Sequence, residues 1–166
     1  MTEIVPFSRD HDRSGFDCGV SELNAFLKVT ARQHTAKGIS RTFVLIDPES
    51  LAPVMGFFTL TLVEVRAEHL PAAYAKKYPK HSLPAVRLAR LAVSVRHQGK
   101  GYGELLLADA IYRTVLISEQ AGIIGLFVDA KNSRARSFYE HYGFVSLPDH
   151  DLHLFLPMQT LRTMEI

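Results

Sequence analysis

Residues 95–111 read VRHQGKGYGELLLADAI: glycines at positions 99, 101 and 103, then an apolar run at helical spacing. Flexible residues directly before a helix suggest that the backbone there touches something. Glycine has no Cβ, so its backbone can curl round an anion. The first-turn N–H groups of the helix lack internal partners, and the helix dipole adds partial positive charge. A phosphate or diphosphate is the natural guest, with Arg96 and Lys100 beside it. A P-loop spacing is not present. A dinucleotide fingerprint starting at Gly99 fails because its sixth position is Glu104. The spacing that fits is Q-x-x-G-x-G, Gln98 to Gly103. A glycine-rich turn that merely packs strand on helix is the plain alternative.

Outward from the loop, AVRLARLAVSV (85–95) reads as a strand whose parity slips: Val86 and Leu88 keep one face, and Leu91, Val93 and Val95 the other. A β-bulge near Ala89–Arg90 or burial on both faces would explain it. The helix should run from Gly101 to Gln120, burying Leu105, Leu106, Ala108, Ile111, Val115 and Leu116, with Gly122 closing it. IIGLFVDA (123–130) reads as a buried strand, NSRARSFYEHY (132–142) as a helix ended by Gly143, and 152–158 as a last strand. Alternating strands and helices imply a βαβ crossover and parallel pairing of strands 86–95 and 123–130. In the N-terminal half, Ser21 can cap a helix to about His34, with Leu23, Phe26, Leu27 and Ala31 on one face and Gly38 as its stop. RTFVLID (41–47) and VMGFFTLTLVEV (54–65) read as a hairpin around the turn PES (48–50). Residues 67–83 read as a short helix plus loop, either bordering a binding site or simply connecting. No repeat or linker divides the chain, so 1–166 is expected to be one α/β domain.

Composition sets outer limits. The chain is 47% apolar and 22% charged, with formal net charge +2. No apolar run approaches the roughly 18 residues of a membrane span. The one cysteine, Cys18, excludes an internal disulfide and suits a reducing compartment, hence a cytoplasmic expectation. No cysteine–histidine spacing suggests a metal. Lys28, Arg32, His34, Lys37 and Arg41 form one basic cluster, and Lys76, Lys77, Lys80 and His81 another. Either could meet phosphates or be solvated surface.

The Q-x-x-G-x-G loop after a strand resembles the coenzyme-A loop of the GNAT superfamily of N-acetyltransferases. NSRARSFYEHYGF resembles that superfamily's N-x-x-A-x-x-[FL]-Y-x-x-x-G-F segment. The resemblance implies a mixed sheet split into a V between strands 86–95 and 123–130. It implies that pantetheine bonds the backbone of Leu91, Ala92 and Val93. The diphosphate would rest on Gln98, Gly99, Lys100, Gly101, Tyr102 and Gly103, beside Arg96. Asn132 and Arg136 would face the cofactor, acetyl-CoA. Tyr139 matches the proton donor to the leaving thiolate, while Tyr142, Phe138 and Phe144 read as packing.

In this chemistry an amine attacks a thioester and a thiolate leaves, with a free-thiol pKa of about 8.5. A proton donor eases departure, and backbone N–H groups near Leu91–Val93 could steady the oxyanion. A lysine amine near 10.4 would need a strong base, an α-amine near 7.7–8.0 little help. Glu64 and Glu68 are the candidate bases; neither is compelling, which favours a low-pKa amine. The eight histidines read as surface or structural groups.

The stretch FDCGVSELNAFLKVTARQHTAKGISRTFVLID (16–47) is similar to the opening of the GNAT toxins of bacterial toxin–antitoxin pairs. That similarity implies acetylation of the α-amine of aminoacyl-tRNA and neutralisation by a ribbon-helix-helix antitoxin, with homodimerisation left open. Lys28, Arg32, Arg41, Arg87 and Arg90 would hold tRNA phosphates. The rival readings are a housekeeping acetyltransferase for a small amine or protein N-terminus, and a non-enzymatic coenzyme-A sensor or antitoxin-binding module.

Overall fold

A computed structural model describes residues 1–50 and 53–164. The chain divides into two compact units, Met1–Thr61 with Ala89–Ala110, and Leu62–Leu88 with Ile111 onward. The first unit contains β1 (Glu3–Pro6), α1 (Ser21–Ala25), a π turn (Phe26–Thr30), α2 (Ala31–Ala36) and β2 (Arg41–Ile46). It also takes in the beginning of β3 (Gly56–Arg66), the end of β4 (Ser82–Val93) and the beginning of α4 (Tyr102–Ser118). β2 pairs antiparallel with β1 from Glu3↔Ile46 to Pro6↔Phe43, and with β3 from Arg41↔Leu60 to Leu45↔Gly56. This is the expected hairpin. Phe7, Phe16, Phe26, Leu27, Val44, Phe57 and Ala92 fill the core of this unit. The buried Thr42 and Thr59 hydroxyls satisfy one another at 2.8 Å.

The first helical segment buries Phe26, Leu27 and Ala31 as its spacing requires. It ends at Gly38, whose φ of +73° lets Ile39 N–H reach His34 O at 2.8 Å. Ser21 is not the cap. Val20 holds that position without a side-chain bond, and Ser21 is already helical. The polar side chain that orders this end is Asn24: its Oδ1 accepts the Cys18 N–H at 2.9 Å.

The second unit holds the end of β3, the beginning of β4, α3 (Ala72–Ala75), the end of α4, β5 (Gly125–Asp129), α5 (Ser133–His141), β6 (Val145–Leu147), β7 (His150–Pro157) and α6 (Met158–Thr163). β4 and β5 run parallel, from Val86↔Leu126 to Leu88↔Val128. The crossover is therefore as expected. β4 continues past that ladder to Val93, whereas β5 stops at Asp129. β7 pairs antiparallel with β5 and β6. Leu70, Leu83, Ala85, Phe127 and Phe155 make the core here, with the Phe127 and Phe155 rings stacked at 4.7 Å. The strand order is β1-β2-β3-β4-β5-β7-β6.

Besides the Ser21 cap, the structure differs from expectation in three further places. α4 buries Leu106, Leu107, Ala110, Ile111 and Thr114, and leaves Leu105 43% and Leu116 41% exposed. The stripe is thus rotated from the one expected. β4 starts at Ser82 and ends at Val93, with residues 95–97 in a 3₁₀ turn. Its buried positions shift parity between Ala85 and Val86, while Leu91 and Val93 are only half-buried. The short segments β1, β6 and α6 carry no periodic signal in the sequence.

Gly125 sets a sharp packing limit. A Cβ there would stand 2.4 Å from Leu156 O and 2.6 Å from Phe155 Cε1. That carbonyl belongs to the β5–β7 ladder and cannot retreat without loosening it. Gly125→Ala should therefore cost about 1–3 kcal/mol of stability, read as a lowered urea midpoint; an unchanged midpoint would show that β7 yields freely.

Candidate functional site

The glycine loop grows out of β4 in the first unit. After Val93 the chain is fixed by Ser94 N–H on Met55 O and Val95 N–H on Asp17 O, both 2.8 Å. His97 N–H closes the 3₁₀ turn on Ser94 O at 2.8 Å. Gln98 is extended, and its Nε2 donates to Val93 O at 2.9 Å and to Cys18 O at 3.2 Å. Its amide hydrogens are thus engaged by main-chain carbonyls. Gly99 and Gly101 then take φ of +77° and +82°, the left-handed region that other residues enter at a cost. No heavy atom lies within 4 Å of where a Cβ would sit at either one. The first amide of the segment to find a main-chain acceptor is that of Leu105, on Gly101 O at 3.2 Å. Among the described residues, the amides of Gly99, Lys100, Gly101, Tyr102, Gly103 and Glu104 have no main-chain acceptor. Arg96 and Lys100 are exposed, with no ion-pair partner among the described residues. Open space, a run of amides without main-chain acceptors and two free cations fit a diphosphate. Upstream, Leu91 and Val93 are half-buried and Ala92 is buried.

In the second unit, Asn132 caps α5, its Oδ1 accepting Ala135 N–H at 2.9 Å. Arg136 pairs with Asp151 at 3.1 Å and lies 3.3 Å from Glu140. Its buried Nε has no hydrogen bond, so the Glu140 contact is an ion pair without hydrogen-bond geometry. Tyr139 is 7% exposed, its ring set edge-on to Phe138 at 5.2 Å and Phe144 at 5.4 Å. Burial pushes its hydroxyl up to about 12, because an apolar cage disfavours the phenolate. The group therefore holds its proton throughout the physiological range. Gly143, with φ of +96°, ends the helix as expected.

The basic residues are differently disposed. Arg32 and Arg41 are exposed and Lys28 is half-buried. The Arg90 guanidinium lies 3.7 Å over the Phe26 ring, a cation–π placement. Arg87 is ion-paired with Asp129, whose other oxygen is 3.5 Å from His153 Nε2. His153 stacks on His150 at 4.0 Å, and partial burial, His150 and Arg87 together lower its pKa. A phosphate would thus compete with Asp129 for Arg87. Of the two candidate bases, Glu64 is exposed, and Glu68 accepts Arg66 Nε–H at 2.5 Å. That hydrogen bond, with the Arg66 charge, holds the Glu68 carboxyl below its ordinary range and makes it a poor base. Among the described residues no cluster of His, Cys, Asp or Glu could hold a metal ion, and no helix is long and apolar enough to cross a membrane. Sequence reasoning missed Asp17, Asn24, Asp129 and His153. Asp17 directly precedes a Cys-Gly turn, where an aspartate side chain commonly bonds main chain two residues on, as it does to Gly19.

Residues 55–146 match the acetyltransferase (GNAT) domain. The chain belongs to that family and is an acetyl-CoA-dependent acetyltransferase. It is 33% identical over 153 residues to a tRNA-acetylating toxin of Mycobacterium tuberculosis, covering 92% of this chain and 90% of the relative. The structure of AtaT complexed with acetyl-methionyl-tRNAfMet is similar at a TM-score of 0.90 and 32% identity, with 98% of each chain covered. A tyrosine-to-phenylalanine variant of the AtaT toxin, bound to the C-terminus of the antitoxin AtaR and acetyl-CoA, is similar at 0.81 and 30% identity, covering 97% of this chain and 96% of that one.

Proposed function

We propose that this chain acts as one catalytic domain transferring acetyl to the α-amine of aminoacyl-tRNA, as the translation-blocking toxin of a toxin–antitoxin pair. The observation that carries this reading is the likeness, over nearly its whole length, to AtaT in complex with acetyl-methionyl-tRNA. Acetyl-CoA, when bound, supplies an acetyl group activated on sulfur. The amides of 99–104, with Arg96 and Lys100, would hold its diphosphate. The backbone of Leu91, Ala92 and Val93 would hold its pantetheine, and Asn132 and Arg136 would lie on the cofactor side. Tyr139 is the general acid: it carries a proton at every working pH and matches the family's donor position. An α-amine near 7.7–8.0 loses its proton readily, which suits a chain whose Glu68 is a poor base. Lys28, Arg32, Arg41 and Arg90 would meet tRNA phosphates, with Arg87 joining them if released from Asp129. The partner that restrains the toxin is a DNA-binding ribbon-helix-helix antitoxin, and the setting is the cytoplasm, where charged tRNA is found.

Incubation with labelled acetyl-CoA and total charged tRNA should place the label on the amino group of aminoacyl-tRNA. Inducing the chain without an antitoxin should arrest growth, and Tyr139→Phe should relieve the arrest. Label found only on polyamine or protein, with healthy growth at high expression, would replace this substrate by a housekeeping one.

A further inference from the structure

The turn formed by Asp17, Cys18 and Gly19 lies far in sequence from the glycine loop yet holds its root at two points. Asp17 O accepts Val95 N–H at 2.8 Å, and Cys18 O accepts Gln98 Nε2–H at 3.2 Å. The direction of those carbonyls depends on the turn that carries them. The turn in turn is locked by α1. Asn24 Oδ1 accepts Cys18 N–H at 2.9 Å, and Asn24 Nδ2 donates to Asp17 Oδ1 at 3.0 Å. The same Asp17 oxygen accepts Gly19 N–H at 2.9 Å. Asn24 N–H bonds Val20 O at 3.1 Å, so the lock is anchored in the helix itself. Gly19 completes the turn at φ of +87°.

From this relay we infer that Asn24, working with Asp17, is a positioning residue for the diphosphate loop. The inference rests on residues 98–103 being that loop. Among the described residues, Asn24 makes its hydrogen bonds to Asp17, Cys18 and Val20, not to the loop. It orients the Asp17 and Cys18 carbonyls, and these set where Val95 and Gln98 stand, so the amides after Gln98 start from a fixed point. The amide group suits this duty because it is donor and acceptor at once: the acceptor end takes Cys18 N–H and the donor end takes the Asp17 carboxylate. The Gly19 N–H and the Asn24 amide also hold the Asp17 carboxyl below its ordinary range, which keeps it the charged acceptor of the pair.

The test is a reciprocal exchange. Asn24→Asp keeps the acceptor but faces Asp17 with a second carboxylate. It should raise the KM for acetyl-CoA, and the dissociation constant for coenzyme A measured by calorimetry, by about fivefold or more, with kcat within about twofold of wild type. Asp17→Asn alone should act in the same direction more weakly. The double variant Asp17→Asn/Asn24→Asp restores one donor facing one carboxylate and should recover most of the lost affinity. Circular dichroism melts of all four proteins separate loop positioning from unfolding, which would not be reversed specifically in coenzyme-A affinity. Wild-type affinity in Asn24→Asp, a loss confined to kcat, or no recovery in the double variant would overturn the inference. Failure of the wild type itself to bind coenzyme A would instead remove the loop assignment beneath it.

Discussion

Tyr139→Phe is expected to leave acetyl-CoA affinity unchanged and to lower turnover at least about tenfold, about 1.4 kcal/mol in the barrier. A thiol with a pKa of about 8.5 leaves unfavourably as a bare thiolate at neutral pH. A buried phenol pushed up to about 12 always has its proton to give. Phenylalanine keeps the ring contacts with Phe138 and Phe144 and removes only the hydroxyl. Coenzyme-A release under saturating substrate measures the effect, and calorimetry measures the affinity. The raised pKa also has a stability signature. The unfolded chain releases this proton near pH 10, whereas the folded chain keeps it to about 12. The unfolded state therefore binds fewer protons in that window, and stability falls as pH rises through it. Urea melts at pH 9 and pH 11 should show this fall in the wild type and less of it in Tyr139→Phe. Unchanged turnover in the variant would take Tyr139 out of the chemistry.

Gly99→Ala/Gly101→Ala is expected to raise the acetyl-CoA dissociation constant about thirtyfold or more. A left-handed conformation costs an L-residue roughly 1–2 kcal/mol, so holding both alanines there costs about 2–4 kcal/mol, and about 2 kcal/mol already corresponds to thirtyfold. Nothing packs where the new methyl groups would point, so the loop can relax away from its positive φ values. The loss then falls on binding rather than on the fold, and the melting temperature should move little. Tight binding by the double variant would mean that the amides need not converge as the glycines arrange them.

Much of the frame was legible because glycine punctuated it. Gly38 and Gly143 end their helices at positive φ, and the loop at 99–101 adopts the conformation its composition demanded. The α4 stripe was not legible. ELLLADAIYRTVLI offers more apolar residues than one face can take, and the face chosen includes Thr114 while excluding Leu105, Tyr112 and Leu116. Tertiary packing, not periodicity, made that choice. β1, β6 and α6 have four, three and six residues, too short to show a period; β1 and β6 are recognisable only through the strands they pair with. The spacing marks Gln98, but nothing in the sequence says that its amide turns toward Val93 and Cys18. The pairing of Arg87 with Asp129 likewise depends on register. Arg87 sits opposite Phe127 in the parallel ladder, which brings the residue two further along β5 to the same face. Before that register is known, Arg87 looks like a free cation.

The π turn at Phe26–Thr30 bears on how the length of this helix could change. Ala31 N–H reaches back to Phe26 O, five residues rather than the four of an α-helix. Phe26, Leu27 and Ala31 are all buried. If one residue between Leu27 and Ala31 were lost, the same three side chains would fall at ordinary α-helical spacing, and the helix would close without a seam. What would be forfeited is local: the placement of Lys28 O, which now accepts Arg13 Nε–H at 3.0 Å. Deleting one residue in the middle of this helix is therefore expected to leave the fold intact, as an unchanged circular dichroism spectrum would show.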